Sequence, residues 1–161
     1  MREILFRGRI SKNEWVYGLP IEGEPLIGRG KETCIVTKPG LSYYDGVLMT
    51  YDECVEVDPD TVGQFAGLTD RNGVKIFEGD IVRWHDNTEL SVGGQIAEVC
   101  FGKYRDADSV FDDIFPLGFY IRFSDKNCIT ISWLDEYKNY FDIIGNIHDT
   151  PELLEVSGDE T

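Results

Sequence analysis

The sequence predicts an almost entirely β-stranded protein. Apolar residues recur with a period of two in short runs, glycines and polar clusters punctuate those runs, and stretches with helical spacing are few. Ile4-Leu5-Phe6-Arg7-Gly8-Arg9-Ile10 and Trp15-Val16-Tyr17-Gly18-Leu19-Pro20-Ile21 flank Ser11-Lys12-Asn13-Glu14, which is polar enough to turn, so the chain opens on a β-hairpin. Gly23 to Gly30 reads as loop. Thr33-Cys34-Ile35-Val36-Thr37 is a further strand, stopped by Lys38-Pro39-Gly40 because proline donates nothing to a ladder. Glu53-Cys54-Val55-Glu56-Val57 follows and ends at Asp58-Pro59-Asp60.

From Thr61 the texture changes. Gly63, Gly67, Gly73 and Gly79 recur every four to six residues, and Asn72-Gly73 predicts a tight reversal with both central residues at positive φ. Gly79-Asp80 precedes the alternating run Ile81-Val82-Arg83-Trp84. That arrangement suits the first long strand of an SH3-like barrel, where the carboxylate accepts local backbone N–H groups. Gly94 to Phe101, Gly118 to Phe123 and Cys128 to Ser132 read as the next strands. Asp106 to Phe115 reads as an ordered acidic loop and Trp133 to Tyr140 as about two turns of helix. Thr150, with Pro151 behind it, predicts a short closing helix whose first turn the Thr150 hydroxyl caps. The expected architecture is therefore an N-terminal β-hairpin and sheet (residues 1–60), an SH3-like barrel around residues 61–135 within a second subdomain (61–156) that ends in the helix, and a frayed tail (157–161).

Composition bounds what the chain does. Fifteen Lys and Arg against thirty Asp and Glu leave a net charge of −15. Residues 1–105 contribute 12 basic and 17 acidic groups and residues 106–161 contribute 3 and 13, so the excess concentrates in the last third. Such a surface repels a nucleic-acid duplex at long range, which disfavours nucleic acid as a partner. No apolar run approaches the roughly 18 residues needed to span a bilayer, and the first residues are too charged for a signal peptide, so a soluble protein of the cytoplasm is expected.

The chemistry-bearing residues form no familiar set. Cys34, Cys54, Cys100 and Cys128 lie 20, 46 and 28 positions apart with no local pair, which speaks for reduced core cysteines rather than a zinc site. Gly23-Glu24-Pro25-Leu26-Ile27-Gly28-Arg29-Gly30 has glycines at phosphate-loop spacing but lacks the lysine and hydroxyl that follow them in such loops. His85 reads as an exposed loop histidine in preference to a general base, and His148 as a structural or capping residue. No cofactor is implied, no catalytic group is assigned, and an enzyme is not expected.

The block Thr61-Val62-Gly63-Gln64-Phe65-Ala66-Gly67-Leu68-Thr69-Asp70-Arg71-Asn72-Gly73-Val74-Lys75-Ile76-Phe77-Glu78-Gly79-Asp80-Ile81-Val82 resembles the signature block of the YopX family of phage and prophage proteins. Arg2-Glu3-Ile4-Leu5-Phe6-Arg7-Gly8, Ile144-Gly145-Asn146-Ile147 and Pro151-Glu152-Leu153-Leu154 are similar to the family's two ends. The resemblance implies a mainly β fold, phage origin and expression in the cytoplasm of a bacterial host, and it implies no activity. Within the block the glycines and apolar positions are read as fold specification, while its polar residues Gln64, Asp70, Arg71, Asn72 and Asp80, with Trp84 just beyond its end, are the candidates for a recognition surface on a rigid β scaffold. The expected function is that of a non-enzymatic accessory protein binding a phage or host protein, with self-association into a homo-oligomer as a further expectation. The alternatives are a nucleic-acid-binding SH3-like module and an acidic DNA mimic that sequesters a host DNA-binding protein.

Overall fold

A computed structural model describes residues 3–23, 32–45, 47–85, 94–104, 117–123, 128–130 and 141–155. Gly23 closes a strand, while the rest of the loop read over 23–30 lies outside the described residues, as do the acidic stretch 106–115, the helical turns read over 133–140 and the tail. The protein is nearly all β, in two antiparallel sheets, and its contacts divide it into Met1–Phe65 and Ala66–Thr161. No helix among the described residues is long and apolar enough to cross a membrane.

The first unit orders its strands β4-β3-β2-β1-β5, with β1 at Phe6–Ser11, β2 at Glu14–Gly23, β3 at Glu32–Tyr44, β4 at Val47–Glu56 and β5 starting at Asp58. The opening hairpin turns at Lys12-Asn13, where Asn13 takes φ 61°, a conformation its short side chain tolerates better than most. One expected strand end is overrun and another holds. β3 continues through Lys38-Pro39-Gly40 because a register shift between Val36 and Lys38 absorbs the irregularity, and bulges are where a sheet accommodates proline. β4 ends at Glu56, just ahead of Asp58-Pro59-Asp60, and those three residues then open β5. The Asp58 carboxylate accepts the Asp60 N–H at 3.2 Å, its carbonyl accepts the Thr61 hydroxyl at 2.7 Å, and that hydroxyl accepts the Arg9 N–H at 2.9 Å. Among the described residues of this unit, Ile35, Val36, Val57 and Phe65 are the buried apolar ones. A Cβ on Gly18 would lie 1.9 Å from the Val36 carbonyl oxygen, so glycine is required for β2 and β3 to approach as they do.

β5 runs on to Thr69 in the second unit, where β6 (Lys75–Phe77) pairs with it. The other sheet has the order β10-β9-β8-β7-β11, from β7 (Asp80–Trp84), β8 (Ile96–Lys103), β9 (Leu117–Phe123), β10 (Cys128–Thr130) and β11 (Phe141–Asn146). The expected closed barrel is not formed by the described strands. β7, read as the barrel's first strand, is interior, paired with β8 on one side and with β11 on the other, and β11 lies beyond residue 135. Val82, Trp84, Ala97, Val99, Phe119, Ile121, Phe123 and Phe141 point to one core with Ala66 and Ile76, in the period-two pattern of a half-buried sheet. Trp84 and Phe141 meet across the β7–β11 ladder with centroids 5.8 Å apart.

The closing helix α1 spans only Glu152–Glu155, and its cap differs from the sequence reading. The Thr150 hydroxyl turns back to Asn146, donating to its carbonyl at 3.2 Å and accepting its N–H at 3.1 Å. The cysteines also differ. All four are free, but only Cys100 and Cys128 are buried, while Cys34 is half-buried and Cys54 exposed on the face of the first sheet. Burial first, then the Glu98 charge, pushes the Cys100 thiol up to about 12, so it stays protonated.

Gly18→Ala is expected to lower stability by roughly 1–3 kcal/mol through overpacking against β3. Chemical denaturation with a far-ultraviolet readout measures it. An unchanged midpoint would show that β2 and β3 are not held at this distance.

Candidate functional site

The reversal after β5 organises the polar residues of the second unit. The Gly73 N–H donates to the Asp70 carbonyl at 3.0 Å and the Asp70 N–H to the Val74 carbonyl at 2.8 Å, closing a turn over Asp70–Gly73. Gly73 has φ 80°, whereas Asn72 is absent from the positive-φ residues, so the reversal is a type I turn followed by a left-handed glycine and not the two-residue form that Asn-Gly predicts. Asp70 explains the choice. It is 4% exposed and its Oδ1 accepts the N–H groups of Asn72 at 2.8 Å and Val74 at 2.9 Å, an Asx arrangement that fixes the turn from inside. Its Oδ2 accepts the Ile143 N–H at 3.4 Å, and the Arg71 N–H donates to the Phe141 carbonyl at 3.4 Å, so the turn lies along the outer edge of β11.

That docking gathers a second set of groups around Asp142, a half-buried residue of β11. Its Oδ1 accepts Arg71 Nε and, at 3.1 Å, Asn72 Nδ2; its Oδ2 meets His85 Nε2 at 2.6 Å. Burial alone would raise the Asp142 carboxyl, but the hydrogen bonds from His85 and Arg71 and their charges outweigh it and hold the group below the usual carboxylate range. His85, read as an exposed loop residue, is instead two-thirds covered at the end of β7 and oriented by this carboxylate. Asp142 itself escaped the sequence reading. The available signal was a lone acid inside the apolar run Phe141-Asp142-Ile143-Ile144, but nothing local tells which turn it faces.

The six recognition candidates separate accordingly. Asp70, Asp80 and Trp84 are buried and present nothing to a partner, so for these three the expected surface role gives way to a structural one. Asp80 accepts the Phe77 N–H at 2.7 Å and Trp84 fills the core. Arg71 and Asn72 stay accessible and lie together on the turn. Gln64, half-buried, sits opposite Phe6 in the first unit and is not part of this cluster.

A second surface was invisible to a search for polar groups. Along β2, Tyr17, Leu19 and Ile21 are 51%, 48% and 45% exposed, three large apolar side chains at two-residue spacing on one face. The cross-strand partners on that face are Arg7 for Tyr17, Val36 for Leu19 and Cys34 for Ile21, with Glu56 beyond Cys34 on β4. Glu32 and Glu56, both exposed, border the Ile21 end. Arg7 lies over the Trp15 ring at 4.6 Å, and Arg9 pairs with Asp58 at 3.2 Å, at the other end. The run from Trp15 to Ile21 is apolar on both faces, which is the sequence signal for this surface.

The family model described as YopX protein matches residues 32–155. Among solved structures, the chain is similar to the crystal structure of protein EF1440 from Enterococcus faecalis, with a TM-score of 0.55 over 96% of this chain and 99% of that one. At 22% identity this likeness shows the fold alone. A search of curated proteins finds no match.

A carboxyl whose value is lowered by folding contributes stability that is complete above its unfolded value and is lost as pH falls through the folded one. Asp142 is such a group, so stability should decline on the acid side below the ordinary carboxylate range, and Asp142→Asn should flatten that limb. Denaturation midpoints measured across the acid range check this; parallel curves for the two proteins would contradict it.

Proposed function

The chain belongs to the YopX protein family, and from that premise we propose that it is a binding module without catalytic activity of its own, working through protein–protein contacts in the bacterial host of a phage. The observation that carries the reading is the exposed stripe Tyr17, Leu19 and Ile21. Large apolar side chains held in water at regular spacing on a paired strand cost solvation free energy that a partner surface recovers, and the strand ladder holds them without further loss of backbone freedom. The aromatic member and the rigid backing suit an interface anchor.

The partner's chemistry follows from the rim. Glu32 and Glu56 at one end of the stripe and a net charge of −15 over the chain favour a protein surface with an apolar ridge and basic residues beside it, and the same charge speeds its encounter. The resemblance of residues 61–82 and of both chain ends to phage and prophage proteins supports the setting, with the host cytoplasm as the place of action.

Affinity capture from infected-cell lysate tests this with two baits, the native chain and a Tyr17→Ser, Leu19→Ser, Ile21→Ser variant. The native bait should retain a defined protein that survives nuclease treatment, and the variant, with an unchanged far-ultraviolet spectrum, should lose at least about tenfold of it. Equal recovery by both baits, or recovery of nucleic acid alone, would contradict the reading.

A further inference from the structure

We propose that the outer face of β7 and β11 carries a binding site for a phosphate-type oxyanion, formed by Arg71, Arg83 and His85 around Asp142. The site lies wholly within the second unit and is independent of the β2 stripe. Trp84 and Phe141 are paired in register and both point into the core, so their neighbours Arg83 and Asp142, also paired in register, project together from the opposite face. Directly opposed residues of an antiparallel pair have Cβ atoms about 5 Å apart, so the Arg83 side chain starts from beside the residue whose carboxylate orients Arg71 and His85.

The donors left over are what an oxyanion needs. Asp142 engages Arg71 only through Nε and His85 only through Nε2, so among the described residues the Nη groups of Arg71 and the Nδ1 of His85 have no protein partner. Arg83 is exposed and likewise has none among them. A guanidinium presents its N–H groups as a planar fork that matches the oxygens of phosphate, and two of them converging from β7 and the Asp70–Gly73 turn can grip one anion from two sides. Arg71 and Arg83 bring two guanidinium groups to this face, while the Asp70 carboxylate is turned inward onto backbone N–H groups, away from the donors that an anion would meet. Asp142 does for the site what a supporting carboxylate does elsewhere: it fixes the Arg71 and His85 side chains before the ligand arrives, so less conformational freedom is lost on binding.

Titration of the isotope-labelled full chain with inorganic phosphate, at ionic strength held constant with sodium chloride, tests the site through the Arg71 Nε and His85 ring resonances. Saturable shifts are expected at both. Arg83→Ala, a change at an exposed position, should weaken the apparent affinity about tenfold with the spectrum of the fold unchanged, and Arg71→Ala should do the same. A short single-stranded oligonucleotide identifies the source of the phosphate. Tighter binding than inorganic phosphate at the same resonances points to a nucleic-acid backbone, and equal binding points to free phosphate esters. Shifts that do not saturate, or an Arg83→Ala protein that binds as the native one does, would overturn the proposal.

Discussion

A single buried carboxylate, that of Asp70, sets the geometry of the second unit's outer edge. β11 is the last strand of its sheet, and an edge strand left bare offers unpaired N–H and C=O groups to any other chain. The Asp70–Gly73 turn lies along that edge, giving the Ile143 N–H an acceptor in Asp70 and the Phe141 carbonyl a donor in Arg71. The carboxylate accepts the Asn72 and Val74 N–H groups as well, so four oxygen–donor contacts, counting Asn72 Nδ2 at 3.3 Å, compensate its removal from water. Once the turn is fixed, Arg71 and Asn72 have no choice but to meet Asp142, and Asp142 in turn meets His85.

Polar residues of the glycine-rich central block therefore divide by direction. Asp70 and Asp80 face inward and hold backbone groups; Arg71 and Asn72 face outward on the turn those carboxylates shape. The same division of labour marks the first unit, where Ile35 is fully buried while Leu19 and Ile21, on the strand beside it, stand in water. In both units the scaffold is made by alternation within strands, and the accessible chemistry is whatever the alternation leaves outside.

Much of this was legible in the chain and some was not. The period-two runs located the hairpin and the strands over 81–84, 96–101 and 118–123 because one face of each is buried, and alternation is the direct imprint of that burial. Pro39 misleads because a bulge two residues earlier lets the ladder pass it, a matter of register that local sequence does not encode. Sheet closure was equally out of reach: nothing in Gly79-Asp80-Ile81 says that β11, some sixty residues later, occupies the place a barrel's closing strand would take. Trp84 belongs to the core by its parity with Val82. Asp142 and the β2 stripe were missed for opposite reasons. The first depends on a contact 70 residues distant in sequence, and the second consists of apolar groups that a search for polar chemistry passes over.

The central claim is that Asp70 builds the edge from within and is not itself a contact for a partner. Amide hydrogen exchange on an Asp70→Ala protein measures this most directly. Protection at Val74 and Ile143 should fall by at least about tenfold while Val99 and Ile121, deep in the same sheet, keep theirs. Native-like protection at Val74 and Ile143 in that variant would contradict the account.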